Sequence, residues 1–110
     1  MLIEPTKIKE KIDYKEFLRI INRYNENQII CTKHTFIRLS EKQREVYNCD
    51  ELKKIILEET PFLIGIQNNK NYAVFYKYKS KNLRIMLGIS ARKINIVTFY
   101  FIQEWQIPKI

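Results

Sequence analysis

The hydrophobic pattern of this chain changes its period at Pro61. Before Pro61, apolar residues recur three and four positions apart, as Phe17, Ile20, Ile21 and Tyr24 do, and this spacing is typical of amphipathic helices. After Pro61, apolar and aromatic runs of strand length are separated by short polar turns. The sequence therefore predicts an α+β domain with its helices first and its sheet second.

Three helices are expected in the first part of the chain. Asp13, with a glutamate three residues later, has the pattern of a capping box at the start of the first helix. Thr32 is placed to cap a second helix over residues 33–44, and Asp50 to cap a third that ends before the proline. Residues 28–31 form a short apolar stretch, which is either a strand or an extended lead-in.

Four strands are expected after the proline, over residues 62–66, 72–78, 83–89 and 94–102. Because short polar turns join them, they should form an antiparallel meander. The last strand is apolar at nearly every position, which favours a central place in the sheet. We therefore expect N-terminal helices packed on a four-stranded antiparallel sheet, in a single domain of residues 1–110.

The positive charge is concentrated in the second half of the chain. The net charge is +8, from 20 basic and 12 acidic residues, yet residues 61–110 contain eight basic residues and a single acid, Glu104. Such a field favours a polyanionic partner, either nucleic acid or an acidic protein. The alternative is plain solubility, combined with a codon bias toward Lys, Ile and Asn.

Cys31 and Cys49 are accompanied by no CxxC pair and no His/Cys cluster, so neither a metal site nor a cofactor is expected. Two buried free thiols in a reducing cytoplasm are the default expectation. The N-terminus lacks the apolar segment of a signal peptide, and no apolar run approaches the ~18 residues that span a membrane. The Ile-, Lys- and Tyr-rich, Gly-poor composition indicates a thermophile.

His34 is the single histidine, and Arg38 follows four residues later on the same face of the expected helix. An imidazole can transfer a proton to or from a ribose hydroxyl or a leaving oxygen. The guanidinium beside it can hold a phosphate and stabilise its developing charge. The alternative is that His34 packs or caps the helix N-terminus while Arg38 lies in solvent.

Thr98 and Tyr100 lie two residues apart in the last strand and should point to the same face. Ile94, Ile96 and Ile102 share their parity, so the two hydroxyl residues are either neighbours of a hydrophobic row or the start of an open cleft. In a cleft, the hydroxyls would hold a phosphate or orient the imidazole.

Basic residues and tyrosines alternate along the strands. Cations that bind phosphates beside rings that stack on bases suit single-stranded RNA. The alternative is a solvated face whose lysines discourage edge pairing. The basic residues are Lys77, Lys79, Lys81, Arg84, Arg92 and Lys93, and the tyrosines are Tyr72, Tyr76 and Tyr78.

The run 34–39, with Arg44 six residues after Arg38, resembles the H-x-x-x-R … R helix of a family of small toxin-like proteins. That family is placed near the BrnT and RelE toxins, in the barnase–colicin–RelE superfamily of ribonucleases. Residues 52–61 resemble its following helix and proline, and residues 94–100 its last strand with the terminal V-T-x-Y. The resemblance covers residues 32–102 and leaves residues 1–31 as an N-terminal extension.

This resemblance implies a RelE/barnase-like fold and a metal-independent endoribonuclease of the toxin–antitoxin type. It assigns catalysis to His34, Arg38, Thr98 and Tyr100. Glu45 replaces the family's usual glycine, and several relatives have lost activity. The alternatives are a non-catalytic nucleic-acid-binding module and a small protein-interaction domain.

RNA and an acidic antitoxin are the partners that the toxin interpretation implies, and association with copies of itself stays open. No membrane partner is expected. The residues expected to hold the RNA backbone are Arg44, Lys77, Lys79, Arg84, Arg92 and Lys93.

Overall fold

The computed structural model describes residues 8–32 and 48–108. Within these ranges six strands form one sheet in the order β1-β3-β4-β5-β6-β2. The strands are β1 (Ile8–Lys11), β2 (Ile29–Cys31), β3 (Leu63–Gln67), β4 (Tyr72–Tyr78), β5 (Lys81–Ile89) and β6 (Ile94–Ile102). The helices described are α1 (Tyr14–Ile21), α2 (Cys49–Glu58) and two single 3₁₀ turns, Glu26–Gln28 and Glu104–Gln106.

The expectation of a four-stranded antiparallel sheet of the RelE/barnase type is wrong. The sheet has six strands among the described residues, and it is mixed, because β2 runs parallel to β6 while β1 pairs antiparallel with β3. Residues 8–31, expected to be an extension, supply both edge strands. These strands have four and three residues, which is too short for a period of two to be visible in the sequence.

The strands β3 to β6 form the antiparallel meander that the sequence predicts. The placement of β6 in the interior of the sheet is also confirmed, since β5 and β2 flank it. The β4–β5 connection has two residues, Lys79 and Ser80, and both have positive φ angles, of 49° and 66°. This is the backbone of a type I′ hairpin turn, in which Asn and Gly are the favoured residues.

The helix α1 begins as predicted. The Asp13 carboxylate accepts a hydrogen bond from the backbone N–H of Lys15, and Glu16 in the first turn and Arg19 in the last turn complement the helix dipole. Phe17 and Ile21, one turn apart, are its buried residues. They therefore form the stripe that fixes α1 on the sheet.

The helix α2 begins at a different cap from the one expected. Asn48 Oδ1 accepts from the backbone N–H of Glu51 at 2.9 Å, so the helix starts at Cys49 and Asp50 lies in its first turn. Leu52, Ile55 and Ile56 are its buried residues. The second expected helix, residues 33–44, lies outside the described residues.

A bulge in β6 divides its side chains between the two faces of the sheet. Met86 of β5 is opposite Thr98, but Leu87 is opposite Ile96, so Val97 is an extra residue in β6. The parity of the strand therefore reverses at the bulge. Simple alternation along the strand puts Thr98 and Tyr100 on the same face as Ile94 and Ile96. This prediction is wrong, because the bulge puts these two isoleucines on the opposite face.

The main hydrophobic core lies between the sheet and the two described α-helices, and we call this side of the sheet the helix face. Its fully buried members from the sheet include Val74, Tyr76, Leu83, Ile85, Leu87, Ile94 and Ile96. The helices contribute Phe17, Ile21, Leu52, Ile55 and Ile56. We call the opposite side the polar face. It has a smaller apolar cluster, of Ala73, Phe75 and Met86.

Cys31 and Cys49 form a disulfide bond, with 6.0 Å between their Cα atoms. The expectation of two free thiols is therefore wrong. The bond joins the edge strand β2 to the first residue of α2. Neither described α-helix is long and apolar enough to cross a membrane.

Candidate nucleic-acid interface

The polar face contains the buried amide and charged side chains of the described residues. These are Gln67, Asn82 and Arg84, with exposed fractions of 2%, 8% and 2%. Five of their buried polar atoms have no hydrogen-bond partner among the described residues: Gln67 Nε2 and Oε1, Asn82 Oδ1, and Arg84 Nε and Nη2. We call these five the orphan atoms. Since buried polar groups are nearly always paired, a set of this size on one face requires an explanation.

Arg84 lies at the centre of the polar face. Its guanidinium carbon is 5.6 Å from the centroid of the Phe75 ring on β4, and the strand register places it opposite Tyr100 on β6. Burial lowers the pKa of Arg84, because removal from water disfavours the charged form. The cation is thus held against an aromatic ring.

Thr98 and Tyr100 lie on this same face. Thr98 is opposite Met86, and Tyr100 is opposite Arg84, so the two hydroxyl residues and the guanidinium occupy two adjacent rows of the sheet. The prediction that Thr98 and Tyr100 share a face is confirmed, and the face is the one without the described helices. Their assignment to catalysis stays a prediction.

The other predicted catalytic and RNA-binding residues from the first half of the chain are not placed. His34, Arg38 and Arg44 lie outside the described residues.

Glu104 connects the end of β6 to two strands of the polar face. Its Oε2 atom accepts from Asn82 Nδ2 at 2.9 Å and lies 3.3 Å from Lys77 Nζ. The hydrogen bond from Asn82 and then the Lys77 cation hold the pKa of Glu104 below its ordinary value. Asn82 thereby uses one of its two amide N–H groups, and its oxygen is one of the orphan atoms.

Three lysines surround the β4–β5 turn, and each lies above an aromatic ring. Lys77 Nζ is 5.6 Å from the Phe62 centroid, Lys79 Nζ 5.2 Å from Tyr78, and Lys81 Nζ 5.3 Å from Phe101. We call these three lysines and three rings the lysine end. Phe62 is 42% exposed, and Trp105, next to Glu104, is 77% exposed. This end of the sheet therefore presents both cations and accessible rings.

The conformation of the β4–β5 turn indicates that the lysine end is not optimised for stability. Lys79 and Ser80 occupy left-handed positions where Asn and Gly would be less strained. Strain of this kind persists where another requirement sets the residue type. At Lys79, a need for positive charge at the tip of the turn would explain why a lysine occupies this position.

A pocket of about 330 Å³ lies beside the lysine end. Its volume falls in the range of small-molecule sites. Its lining combines apolar surface with amide, hydroxyl and ammonium groups: Ser80, Lys81, Asn82, Phe101, Ile102 and Gln103.

Arg92 and Lys93 lie at the opposite end of the sheet, in the β5–β6 turn. The strand β5 separates them from Lys81 by roughly 26 Å, at about 3.3 Å per residue. Their carbonyl oxygens accept hydrogen bonds from Gln28 Nε2 and from Ser90, so this turn is tied to the segment before β2. The predicted basic surface is therefore two separate surfaces, with Arg84 buried between them.

The tyrosines predicted to stack on bases are not placed to do so. Tyr76 is fully buried in the helix face, and Tyr78 is nearly so, with its hydroxyl donating to the carboxylate of Glu51. Tyr76 and Tyr78 lie two and four residues after the buried Val74 in β4, so alternation along the strand already predicts that both point into the core. Near the lysine end the exposed rings are Phe62 and Trp105, and no motif in the sequence selects either of them.

The described residues include no group of three His, Cys, Asp or Glu side chains close enough to hold a metal ion.

The comparison with curated proteins found no match. The comparison with solved structures found none either. Residues 15–87 match the MJ0788 family. The matched segment runs from α1 to near the end of β5 and includes the disulfide, the β4–β5 turn and Arg84. Because it covers more than half of the chain, the protein belongs to the MJ0788 family.

Proposed function

We propose that the protein binds single-stranded RNA through the lysine end. The observation that carries this proposal is the pairing of Lys77, Lys79 and Lys81 with three aromatic rings around one hairpin turn. Proteins that bind single strands combine cations that track the phosphates with rings on which bases stack. The exposed rings of Phe62 and Trp105 beside these lysines supply the second element.

The charge distribution supports the same surface. Glu104 is the sole acid in residues 61–110, and it neutralises Lys77 rather than the two lysines at the turn. Lys79 and Lys81 have no carboxylate within salt-bridge distance in the described part of the chain. Their charge is therefore available to a polyanion.

The test compares two triple variants of equal net charge. The first removes the lysine end by Lys77→Gln, Lys79→Asn and Lys81→Gln, and Asn at position 79 is better suited to the turn than lysine. The control removes the exposed lysines Lys9, Lys15 and Lys54 by substitution to Gln on β1, α1 and α2. Binding to labelled single-stranded RNA is measured over a range of salt concentrations for both variants and the wild-type protein.

We expect the lysine-end variant to bind weakly and to lose about 2 from the slope of log affinity against log salt, at about 0.7 per phosphate contact. The control variant should keep the slope of the wild-type protein. Equal losses in the two variants would show that net charge, not this surface, attracts RNA. A single-stranded DNA of the same sequence tests whether the ribose hydroxyl contributes.

The second candidate function is metal-independent endoribonuclease activity of the toxin type. It is favoured by the register that places Thr98 and Tyr100 in the rows next to and opposite Arg84. In this proposal His34 transfers protons, Arg38 holds the phosphate, and the two hydroxyls position it. An antitoxin with an acidic segment would then be the protein that covers the lysine end.

The cleavage proposal is tested with labelled RNA in the presence of EDTA. We expect cleavage by the wild-type protein and loss of cleavage in His34→Ala and in the double variant Thr98→Val, Tyr100→Phe, with RNA binding retained. Full activity in His34→Ala would rule out this assignment of the base. Binding without cleavage by the wild-type protein would leave the first function alone.

We also propose that the protein works in the cytoplasm. Disulfide bonds are rare in that compartment in most organisms, but intracellular proteins of hyperthermophiles are rich in them. The Cys31–Cys49 bond therefore agrees with a cytoplasmic location in a thermophile. Fractionation of cells that express the tagged protein tests the location.

A further inference from the structure

We propose that Lys77 and Asn82 form a binding site for one phosphate of the RNA backbone, and that the carboxylate of Glu104 occupies this site in the free protein. The inference rests on the proposed function, because it names the place where a phosphate of the bound strand lies. It adds that RNA must displace Glu104, so the turn that follows β6 inhibits binding.

Two donors from neighbouring strands converge on one carboxylate oxygen. Glu104 Oε2 accepts from Asn82 Nδ2 at 2.9 Å and lies 3.3 Å from Lys77 Nζ. Lys77 and Asn82 are partners in the register of β4 and β5, so the sheet itself holds the two donors together. Lysine ammonium and side-chain amide groups are among the donors that proteins use to hold nucleic-acid phosphates. A phosphate oxygen in the place of Oε2 would accept the same two hydrogen bonds.

The site is accessible, because the carboxylate that fills it lies in solvent. The side chains of Glu104 and Lys77 are 79% and 60% exposed. Ion pairs at this exposure contribute little to stability, and salt screens them. An incoming phosphate can therefore replace the carboxylate, whereas breaking a buried ion pair would leave an uncompensated charge in the interior.

The turn that contains Glu104 can move without disrupting the core. Glu104–Gln106 is a single 3₁₀ turn that has no buried residue. Its backbone hydrogen bonds, from Gln106 to Gln103 and from Ile107 to Glu104, stay within the segment. The turn is joined to β4 and β5 through the Glu104 carboxylate. Displacement of this carboxylate would therefore release the turn, together with the exposed ring of Trp105 beside it.

The position of this acid agrees with an inhibitory role. Glu104 is the single acid among residues 61–110, which contain eight basic residues. The lysine that it contacts has its Nζ atom 5.6 Å from the centroid of the exposed Phe62 ring, on which a base stacks in the proposed function. The carboxylate therefore lies where a phosphate and its neighbouring base would be held together.

The first experiment compares the RNA affinity of two variants of equal net charge. Glu104→Gln removes the carboxylate charge, and its amide oxygen can still accept from Asn82. Glu26→Gln is the matched control, because Glu26 is exposed and its turn is tied to the β5–β6 turn, at the opposite end of the sheet. We expect Glu104→Gln to raise the affinity for labelled single-stranded RNA about threefold at low salt, and Glu26→Gln to raise it less than about 1.5-fold.

A double-mutant cycle with Lys77→Gln shows whether the gain comes from this contact. In the Lys77→Gln background, Glu104→Gln should raise the affinity no more than the control does, because the cation that Glu104 masks is absent. Equal gains from Glu104→Gln with and without Lys77, or equal gains from Glu104→Gln and Glu26→Gln, would overturn the inference and leave RNA binding at the lysine end standing. Wild-type affinity in the lysine-end variant would instead contradict the proposed function.

Trp105 provides a second measurement, which does not depend on RNA. It is the single tryptophan of the chain, so its fluorescence reports on the turn that contains Glu104. Inorganic polyphosphate has no bases to stack, and its titration should change this emission in the wild-type protein. The half-saturating concentration should fall about threefold in Glu104→Gln. Binding detected by calorimetry without a change in emission would show that Glu104 stays in place, and absence of binding in both proteins would overturn the phosphate site.

Discussion

The two faces of the sheet bury side chains of different kinds. On the helix face, α1 and α2 pack isoleucine, leucine and phenylalanine against the aliphatic residues of β4, β5 and β6. On the polar face, buried Phe75 and Met86 lie next to a guanidinium and two amides that contain the orphan atoms. Both faces exclude water, but they do so with different consequences for stability.

The comparison indicates a division of roles. Burial of apolar surface on the helix face is the main source of folding free energy, at roughly 25 cal/mol per Å². Each orphan atom on the polar face opposes folding, because its hydration is lost without a replacement bond. Local violations of the rules of packing concentrate at functional sites. Variants on the helix face should therefore lower the free energy of unfolding, and variants that remove orphan atoms from the polar face should raise it.

The largest effect is expected from truncating the helix face. Phe17 is almost fully buried, and its ring centroid is 6.5 Å from that of Tyr72. Phe17→Ala should lower the free energy of unfolding by about 3–5 kcal/mol, since it removes a large apolar side chain and leaves a cavity. Urea denaturation followed by circular dichroism measures the change.

Leu18→Ala is the control for this variant. Leu18 is the next residue of α1 and is 38% exposed, so its truncation should cost less than about 1 kcal/mol. Similar losses in the two variants would contradict the assignment of the core to the Phe17 side of α1.

Reduction of the disulfide should have the next largest effect. The bond joins residues 18 apart and ties β2 to α2 on the helix-face side. In the chain-entropy account, a loop of this length stabilises the folded state by about 3 kcal/mol. Denaturation of the oxidised and the reduced protein measures the difference, and a Cys31→Ala, Cys49→Ala double variant should be insensitive to reductant. Equal stability of the oxidised and reduced forms would show that the bond adds nothing.

The meander, the cap of α1 and the interior place of β6 could be predicted from the sequence, because each depends on neighbouring residues. Period-two runs with short turns specify antiparallel pairing locally. Asp13 likewise signals a helix start through bonds to the residues that follow it.

The edge strands and the contents of the polar face could not be predicted in the same way. The strand β2 exists because β6 pairs with it 65 residues later, as Ile29 with Ile94, and three residues have no visible period. The bulge at Val97 reverses the parity of β6 without a glycine to mark it.

Replacement of Arg84 should raise the free energy of unfolding, whereas the changes on the helix face lower it. Arg84→Met retains much of the volume and removes a buried charge with two orphan atoms. We expect the free energy of unfolding to rise by about 1–2 kcal/mol. Denaturation in a phosphate-free buffer measures it, and Lys77→Met, at an exposed position on the same face, should change little. A large loss of stability would show that the guanidinium is needed for folding.

The smallest effect is expected at Tyr76, where the helix face, like the polar face, contains a buried polar atom without a partner among the described residues. The Tyr76 hydroxyl is buried there and has no hydrogen-bond partner among the described residues, and burial strongly raises the pKa of its phenol. Tyr76→Phe should therefore raise the free energy of unfolding at neutral pH by about 1 kcal/mol. In the unfolded chain the phenol has a pKa of about 10, whereas in the folded protein it keeps its proton above that pH. The effect of this group on the free energy of unfolding is therefore constant below about pH 10, and the stability falls as the pH rises further.

Above about pH 10 the stability of the wild-type protein should thus fall more steeply than that of Tyr76→Phe, by about 1.4 kcal/mol per pH unit. The raised pKa of Tyr72 contributes equally in both proteins and cancels in the difference. Denaturation of the two proteins at a series of pH values measures the divergence. Parallel curves through this range would mean that the hydroxyl reaches water, and the helix face would then be less dry than its apolar composition implies.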